Sequence, residues 1–357
     1  FNMYVWFEVL LISSFVLLTL GNRRAQLEGG LKYVAVNLVS SLLFLVSIGL
    51  TYGLTGTLNI DGMIEAVRAG ALDSAGTGGI LAIGAGFTAP FLLFAGLLIE
   101  LKAFPANGWA LDAYEASNPG IAAMISAVSA TAVVATLQKL IPIFPDSILA
   151  VTLWMGIVTF VASNLVGLRQ TNPRRMLGYS SVAQIGLVAA VLALVAMEGL
   201  GAFYLALVAG GLLLNHLLAK AGLFWIAGAD GATSDDGATS DYGATSDDAG
   251  ARATGAPGHP RGIGPLAGVA LVVLALALVG LPPFPGFWAK WQVVHSLLGT
   301  GRIALLVLLL AGTLFEAIYV FRWVGRLVAR PSGATATAGD DGTTGGDPDT
   351  AARHVPT

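Results

Sequence analysis

Nine stretches of the chain are apolar for long enough to cross a bilayer: roughly residues 1–20, 31–55, 80–103, 119–141, 147–168, 176–197, 201–227, 265–299 and 303–325. A helix needs about 20 apolar residues to span the hydrocarbon core. The pattern therefore predicts an all-α polytopic membrane protein of about nine transmembrane helices. The eighth stretch is too long for one straight helix and contains Leu281-Pro282-Pro283-Phe284-Pro285-Gly286. Consecutive prolines remove donors and clash with the preceding turn, so a break is expected there. Phe104-Pro105 predicts a second break at the end of the third stretch.

Two regions depart from this pattern. Residues 229–262 hold a small, acidic hexapeptide repeat, Gly231-Ala-Thr-Ser-Asp-Asp236 and its two successors, and are expected to form a disordered loop. Residues 331–357 are expected to be a disordered acidic tail. The chain opens on Phe1 inside an apolar stretch with no basic segment before it, so a signal peptide is not expected and an N-terminal truncation is.

Composition agrees. Only 11% of the 357 residues are charged and mean hydropathy is +0.78, whereas soluble domains carry about 25% charge. A cytosolic enzyme, a nucleic-acid binder and a disordered protein are excluded on that ground. The net charge of −3 suggests no polyanionic partner. With no cysteine, this chain holds no disulfide and no cysteine-ligated Fe–S cluster; no cofactor is expected in it. Neither a P-loop nor a dinucleotide-binding glycine fingerprint occurs.

Basic residues set the orientation. If the first span runs from outside to inside, Arg23, Arg24, Lys32, Arg169, Arg174, Arg175, Arg252, Arg261, Arg322, Arg326, Arg330 and Arg353 all fall inside; only Arg68 and Arg302 fall outside. Nine spans then leave the C-terminus in the cytoplasm of a cell carrying this protein in its plasma membrane.

The candidate chemistry lies in how lysine and arginine are sorted. Of five lysines, Lys102, Lys139, Lys220 and Lys290 fall within apolar stretches, while nearly all thirteen arginines fall in loops or near span ends. Arginine stays charged anywhere; a desolvated lysine can lose its proton near neutral pH. A charge at mid-bilayer costs about 2.5–3.5 kcal/mol on insertion scales, so such residues mark functional sites. Glu8, Glu100 and Glu316 add carboxylates at the same depth, and His216 sits four residues before Lys220, on the same helical face. Such a row of groups is what a proton path needs. Plainer readings exist for some members. Lys139 is near a span end and can snorkel to the interface. Glu316 can pair with Arg322. Glu100 and Lys102, two apart, point to opposite faces and should not pair, and Glu100 can cap the break at Phe104. Each break carries a nearby lysine, Lys102 or Lys290. Paired interruptions of this kind point to inverted-repeat transporters; two unrelated proline kinks are the alternative.

Several motifs resemble one family. Phe1-Asn-Met-Tyr-Val-Trp-Phe-Glu8 resembles the glutamate-bearing fifth helix of the D subunit of Mrp-type cation/proton antiporters. Phe104-Pro-Ala-Asn-Gly-Trp resembles the stretch after the broken seventh helix; Gln170-Thr-Asn-Pro-Arg-Arg-Met-Leu-Gly-Tyr-Ser-Ser181 the lead into the tenth; Asn215-His216-Leu-Leu-Ala-Lys220 the eleventh; and Gly280-Leu-Pro-Pro-Phe-Pro-Gly-Phe-Trp-Ala-Lys290 the broken twelfth. The wider superfamily includes the large membrane subunits of complex I and of membrane-bound hydrogenases. The resemblance implies two inverted five-helix repeats, the first truncated to four spans over 1–141 and the second occupying 147–325. It implies roles for Glu8 as modulator of a seventh-helix lysine, Lys102 standing nearest that place, for Lys220 and His216 as central relay, and for Lys290 as terminal exchange site. It also implies partners: other hydrophobic subunits, H+ and Na+. Three positions depart from the family pattern. Glu100 stands where the seventh-helix lysine usually sits, Thr131 where the eighth helix carries a lysine, and Gln184 where the tenth often carries a histidine. The first half-channel is thus expected to be depleted. The readings left open are an antiporter subunit exchanging protons for Na+, the proton-pumping arm of a complex I-like or hydrogenase complex, and a non-conducting scaffold.

Overall fold

The structure, a computed structural model, describes residues 1–21, 23–72, 80–231 and 264–329. Every regular element among them is helical. In chain order these are α1 (Asn2–Thr19), α2 (Arg24–Thr55), α3 (Ile60–Arg68), α4 (Ile80–Glu100), α5 (Gly108–Ala116), α6 (Pro119–Met124), α7 (Ala130–Leu140), α8 (Asp146–Gly167), α9 (Pro173–Met197), α10 (Ala202–Leu205), α11 (Gly211–Gly231), α12 (Pro265–Val279), α13 (Pro285–Gly299) and α14 (Ile303–Val328). A π-helical turn, Ile125–Ser129, joins α6 to α7, and another, Ala206–Gly210, joins α10 to α11. Among the described residues, seven rods are long and apolar enough to cross a membrane: α1, α2, α6–α7, α8, α9, α10–α11 and α14. The other two expected spans are the interrupted pairs α4–α5 and α12–α13, so both expected breaks are present. Helix α11 runs on to Gly231, into the first residues of the expected acidic loop; the rest of that loop, 232–262, and the expected tail, 331–357, lie outside the described residues.

Local chemistry explains several boundaries. Asn118 and Asn172 each precede a proline at the first helical position, and each side chain accepts from a backbone N–H two residues on, Gly120 N at 3.1 Å and Arg174 N at 2.9 Å. Asparagine satisfies an orphan donor while proline has none to satisfy. Helix α3 was not expected. Its Asn59 cap accepts from Asp61 N at 2.9 Å, and its one fully buried side chain is Met63.

The centre of the molecule is α9. Its residues Met176–Gly178 and Ser180–Val195 are all buried. A helix enclosed on all sides must admit neighbours closely, and α8 crosses it at paired glycines. A Cβ on Gly156 would lie 2.5 Å from the Gly186 carbonyl oxygen, and one on Gly186 would lie 2.9 Å from that of Gly156. Small residues of this kind let membrane helices pack backbone to backbone.

Candidate functional site

Glu8, Glu100, Lys102, His216, Lys220, Glu316 and Lys290, all buried but the half-buried Glu8, follow one another within electrostatic range across the bundle. At one side, Glu8 on α1 accepts a short hydrogen bond from the Ser41 hydroxyl on α2, and the Tyr4 hydroxyl lies 3.1 Å from that same oxygen. Next is Glu100, the last residue of α4, only 3% exposed; it lies within electrostatic range of Glu8 and Lys102. Its Oε1 has no hydrogen-bond partner, and its carboxyl faces Ser40 on α2.

Lys102 occupies the first break with φ +59°, a left-handed conformation that non-glycine residues rarely adopt. Strain of this kind persists only where the surroundings over-determine it. Here they do. Lys102 Nζ donates to Tyr114 Oη at 2.9 Å and lies 5.4 Å and 5.9 Å from the ring centres of Tyr114 and Trp109. Cation–π contact of this type suits a desolvated ammonium. The expectation that Glu100 and Lys102 do not pair directly agrees with this geometry.

Tyr114 packs against Phe224 of α11, ring centres 5.4 Å apart, and α11 carries the middle of the row. His216 Nε2 lies 3.1 Å from the Ser126 carbonyl oxygen, which belongs to the π turn between α6 and α7. A carbonyl only accepts, so Nε2 carries the proton and Nδ1, which has no partner, is the free acceptor. Lys220, one turn on and fully buried, donates to the Leu177 carbonyl oxygen of α9 at 3.1 Å.

The far end is an ion pair. Lys290 Nζ on α13 lies 3.6 Å from Glu316 Oε2 on α14, the two residues 8% and 0% exposed. The amine also donates at 2.9 Å to the Val279 carbonyl oxygen, the last of α12. Asn215 Nδ2 takes the Ala277 carbonyl at 2.8 Å. The break thus frees carbonyls at a helix C-terminus, and a cation and an amide satisfy them. Glu316 is further held by Ser180 Oγ at 2.6 Å and Gln184 Nε2 at 2.5 Å, both on α9.

Two sequence readings need correction. Glu316 pairs with Lys290 and not with Arg322, whose guanidinium donates to the Leu168 carbonyl at 2.6 Å. Six residues on a helix amount to about 240° of turn, which sets the two on different faces. Gln184, grouped by sequence with the losses of the first half, sits beside Glu316 near the second break. Thr131 contributes only a hydroxyl bonded back to Ala127 O at 2.7 Å. Lys139 is exposed, as a snorkelling residue should be. Glu316 and its α9 partners were the residues sequence reasoning undervalued. The signal was present, because a buried Lys290 demands a counter-charge.

Partly exposed ion pairs lie outside the row. At one end of the bundle Arg175 reaches Asp112 at 3.1 Å and Glu115 at 2.6 Å, while Lys32 reaches Asp112 and Glu28, each at 2.9 Å. Arg302 pairs with Glu198 elsewhere on the surface. Exposed pairs contribute little stability, about 0–1 kcal/mol, so they mark position more than strength.

Comparison with known proteins fits this architecture. The chain is 30% identical over 331 residues to the N subunit of the NADH-quinone oxidoreductase of Desulforudis audaxviator, covering 90% of this chain and 59% of that protein. It is 28% identical over 335 residues to the D subunit of the Na+/H+ antiporter of Alkalihalophilus pseudofirmus, covering 90% and 60%. Its fold matches a chain of the membrane-bound sulfane sulfur reductase, an archaeal respiratory membrane complex, with a TM-score of 0.70 and 28% identity over 91% of this chain and 61% of that one. The chain thus spans about three fifths of the length of these relatives. Residues 1–316 match the NADH:quinone oxidoreductase/Mrp antiporter transmembrane family, and the chain belongs to that family.

Proposed function

We propose that this chain is a proton-transferring subunit of a multisubunit membrane complex, and that Glu8, Glu100, Lys102, His216, Lys220, Glu316 and Lys290 form its transfer row. The observation that carries the reading is the buried Lys290–Glu316 pair at the end of that row. An ion pair removed from water is held at a desolvation cost and is weak evidence for stability; intramembrane ionisable groups of this kind usually serve a pathway. A proton arriving at one amine repels the next, so occupancy passes along the row electrostatically. The chain is proposed to hold no cofactor of its own and to sit beside other hydrophobic subunits in the plasma membrane. Residues 1–141 and 147–325 are proposed as the two repeats. The end bearing Lys32 and Arg175 is proposed to face the cytoplasm, together with the C-terminus, on the bias of basic residues.

Exchange of protons for Na+ is the favoured activity, supported by the likeness to the D subunit of an antiporter. Lys290→Ala in the assembled complex should abolish exchange in everted vesicles while leaving assembly intact; full exchange by an assembled variant would refute the reading. The likeness to the N subunit of an NADH-quinone oxidoreductase favours a second reading, the pumping arm of a redox enzyme. Co-purified flavin or Fe–S subunits would select it.

A further inference from the structure

Glu100 has an environment that the proton row does not explain. Its Oε1 is buried without a partner, and so are Asn37 Oδ1 and Ser14 Oγ. The three residues are 3%, 2% and 1% exposed. Glu100 is on α4 and Ser14 on α1, and both helices pack against α2, which carries Asn37. Tyr33, Asn37 and Ser40 recur there at helical spacing and are all buried. Ser40 faces the Glu100 carboxyl, and its Oγ donates to Gly96 O, one turn before Glu100, at 3.0 Å. Asn37 lies three residues before Ser40; its Nδ2 is taken up by Tyr33 O at 2.6 Å, which leaves only its oxygen free. The Tyr33 hydroxyl faces Ser14 from α1 and is within electrostatic range of Glu100.

What these side chains have in surplus is oxygen. Buried acceptors without donors are rare in folded proteins and call for an explanation. A hard cation is the ligand that oxygen donors suit. The charge count selects its valence: one carboxylate among neutral oxygens balances a single positive charge, whereas a divalent ion would leave an uncompensated charge in the membrane interior. The charged and titratable groups around the carboxyl are Glu8 on α1, Tyr33 on α2 and Lys102 beyond α4, with Tyr114 on α5 reached through Tyr33. The Lys102 amine is turned away onto Tyr114 and Trp109.

We infer that Glu100, Asn37, Ser40 and Ser14 build a binding site for a monovalent cation, Na+, in which a proton on the Glu100 carboxyl and the metal exclude one another. This deepens the exchange reading proposed above and rests on it for its role in transport. It also gives Glu100 a task as a carboxylate: an amine at that position could not ligate a cation.

The test is 22Na+ binding to the purified complex containing this chain, at pH 8.5 and pH 6. Wild type should bind one more ion per complex than Glu100→Gln at pH 8.5 and lose that ion at pH 6. Asn37→Leu and Ser40→Ala, milder changes, should weaken it about tenfold, and unlabelled Na+ should displace the label better than K+. Thermal melts in choline chloride establish that each variant is folded; added NaCl should then raise the midpoint of wild type but not of Glu100→Gln. Equal 22Na+ binding by wild type and folded Glu100→Gln, or equal stabilisation by Na+ and choline, would overturn the inference. Lys290→Ala separates the two claims, since it should lose exchange yet keep the ion. Loss of the ion in folded Lys290→Ala would count against a site confined to Glu100 and its neighbours.

Discussion

The two helix breaks begin alike and end differently. In each, the residue three before the proline of the break is left-handed: Lys102 with φ +59° before Pro105, and Gly280 with φ +84° before Pro283. At the second break glycine accepts this conformation at little cost, and the lysine sits ten residues later on α13, against a carboxylate and a freed carbonyl. At the first break the lysine itself takes the strained position. Among the described residues its amine meets a phenol and two aromatic faces and has no carboxylate within ion-pair distance. One backbone device therefore serves two electrostatic settings. The second break stores a paired charge. The first isolates one, and Glu100, two residues before it, turns its carboxyl toward Ser40 on α2.

Glu316→Gln should have the largest effect on this contrast. It strands Lys290 as a buried unpaired charge, and breaking such a pair costs about 3–5 kcal/mol. A fall of that order in thermal stability, with loss of exchange, is expected. Replacing both partners by Met and Leu should restore much of the stability and none of the transport. A neutral Glu316→Gln would mean that the pair does not set the second break apart. Gly280→Ala comes next. The added methyl is disfavoured at positive φ by about 1–2 kcal/mol and would stand 3.2 Å from Lys290 Cδ. Both stability and proton transfer should drop, whereas the same change at Gly325, where an added methyl meets open space, should do neither. The smallest and most telling change is Lys102→Gly. Relief of left-handed strain should offset part of the lost contacts and leave stability within about 1 kcal/mol of wild type, while exchange falls. A denaturation midpoint far below wild type would show that Lys102 is a structural post and nothing more.

Much of the architecture was legible from hydropathy and proline. Span lengths, both interruptions and the buried lysines follow from apolar runs and punctuation, because lipid enforces those rules residue by residue. The partners were not legible. Glu316 meets Lys290 across two helices, Ser180 and Gln184 reach it from a third, and Ser40 on α2 faces Glu100. Such contacts depend on helix rotation and crossing, which no local pattern reports. Arg322 looked like the natural partner because it is near in sequence, and helical geometry sets it on another face. Helix α3 escaped because its nine residues, though amphipathic, are far too few to span a bilayer and leave no long apolar run.

The glycine crossing of α8 and α9 bears on how such a protein can move. Where two backbones touch without side chains between them, neither rod can slide or roll without a collision, so this pair acts as a keel. Any rearrangement that opens water paths must then fall to the segments that are already cut, the half-helices hinged at Lys102 and Gly280. The close-packed pair carries Gln184 and Ser180, so the acid on α14 is anchored to it, while the amine on α13 is tied to the carbonyl that ends α12.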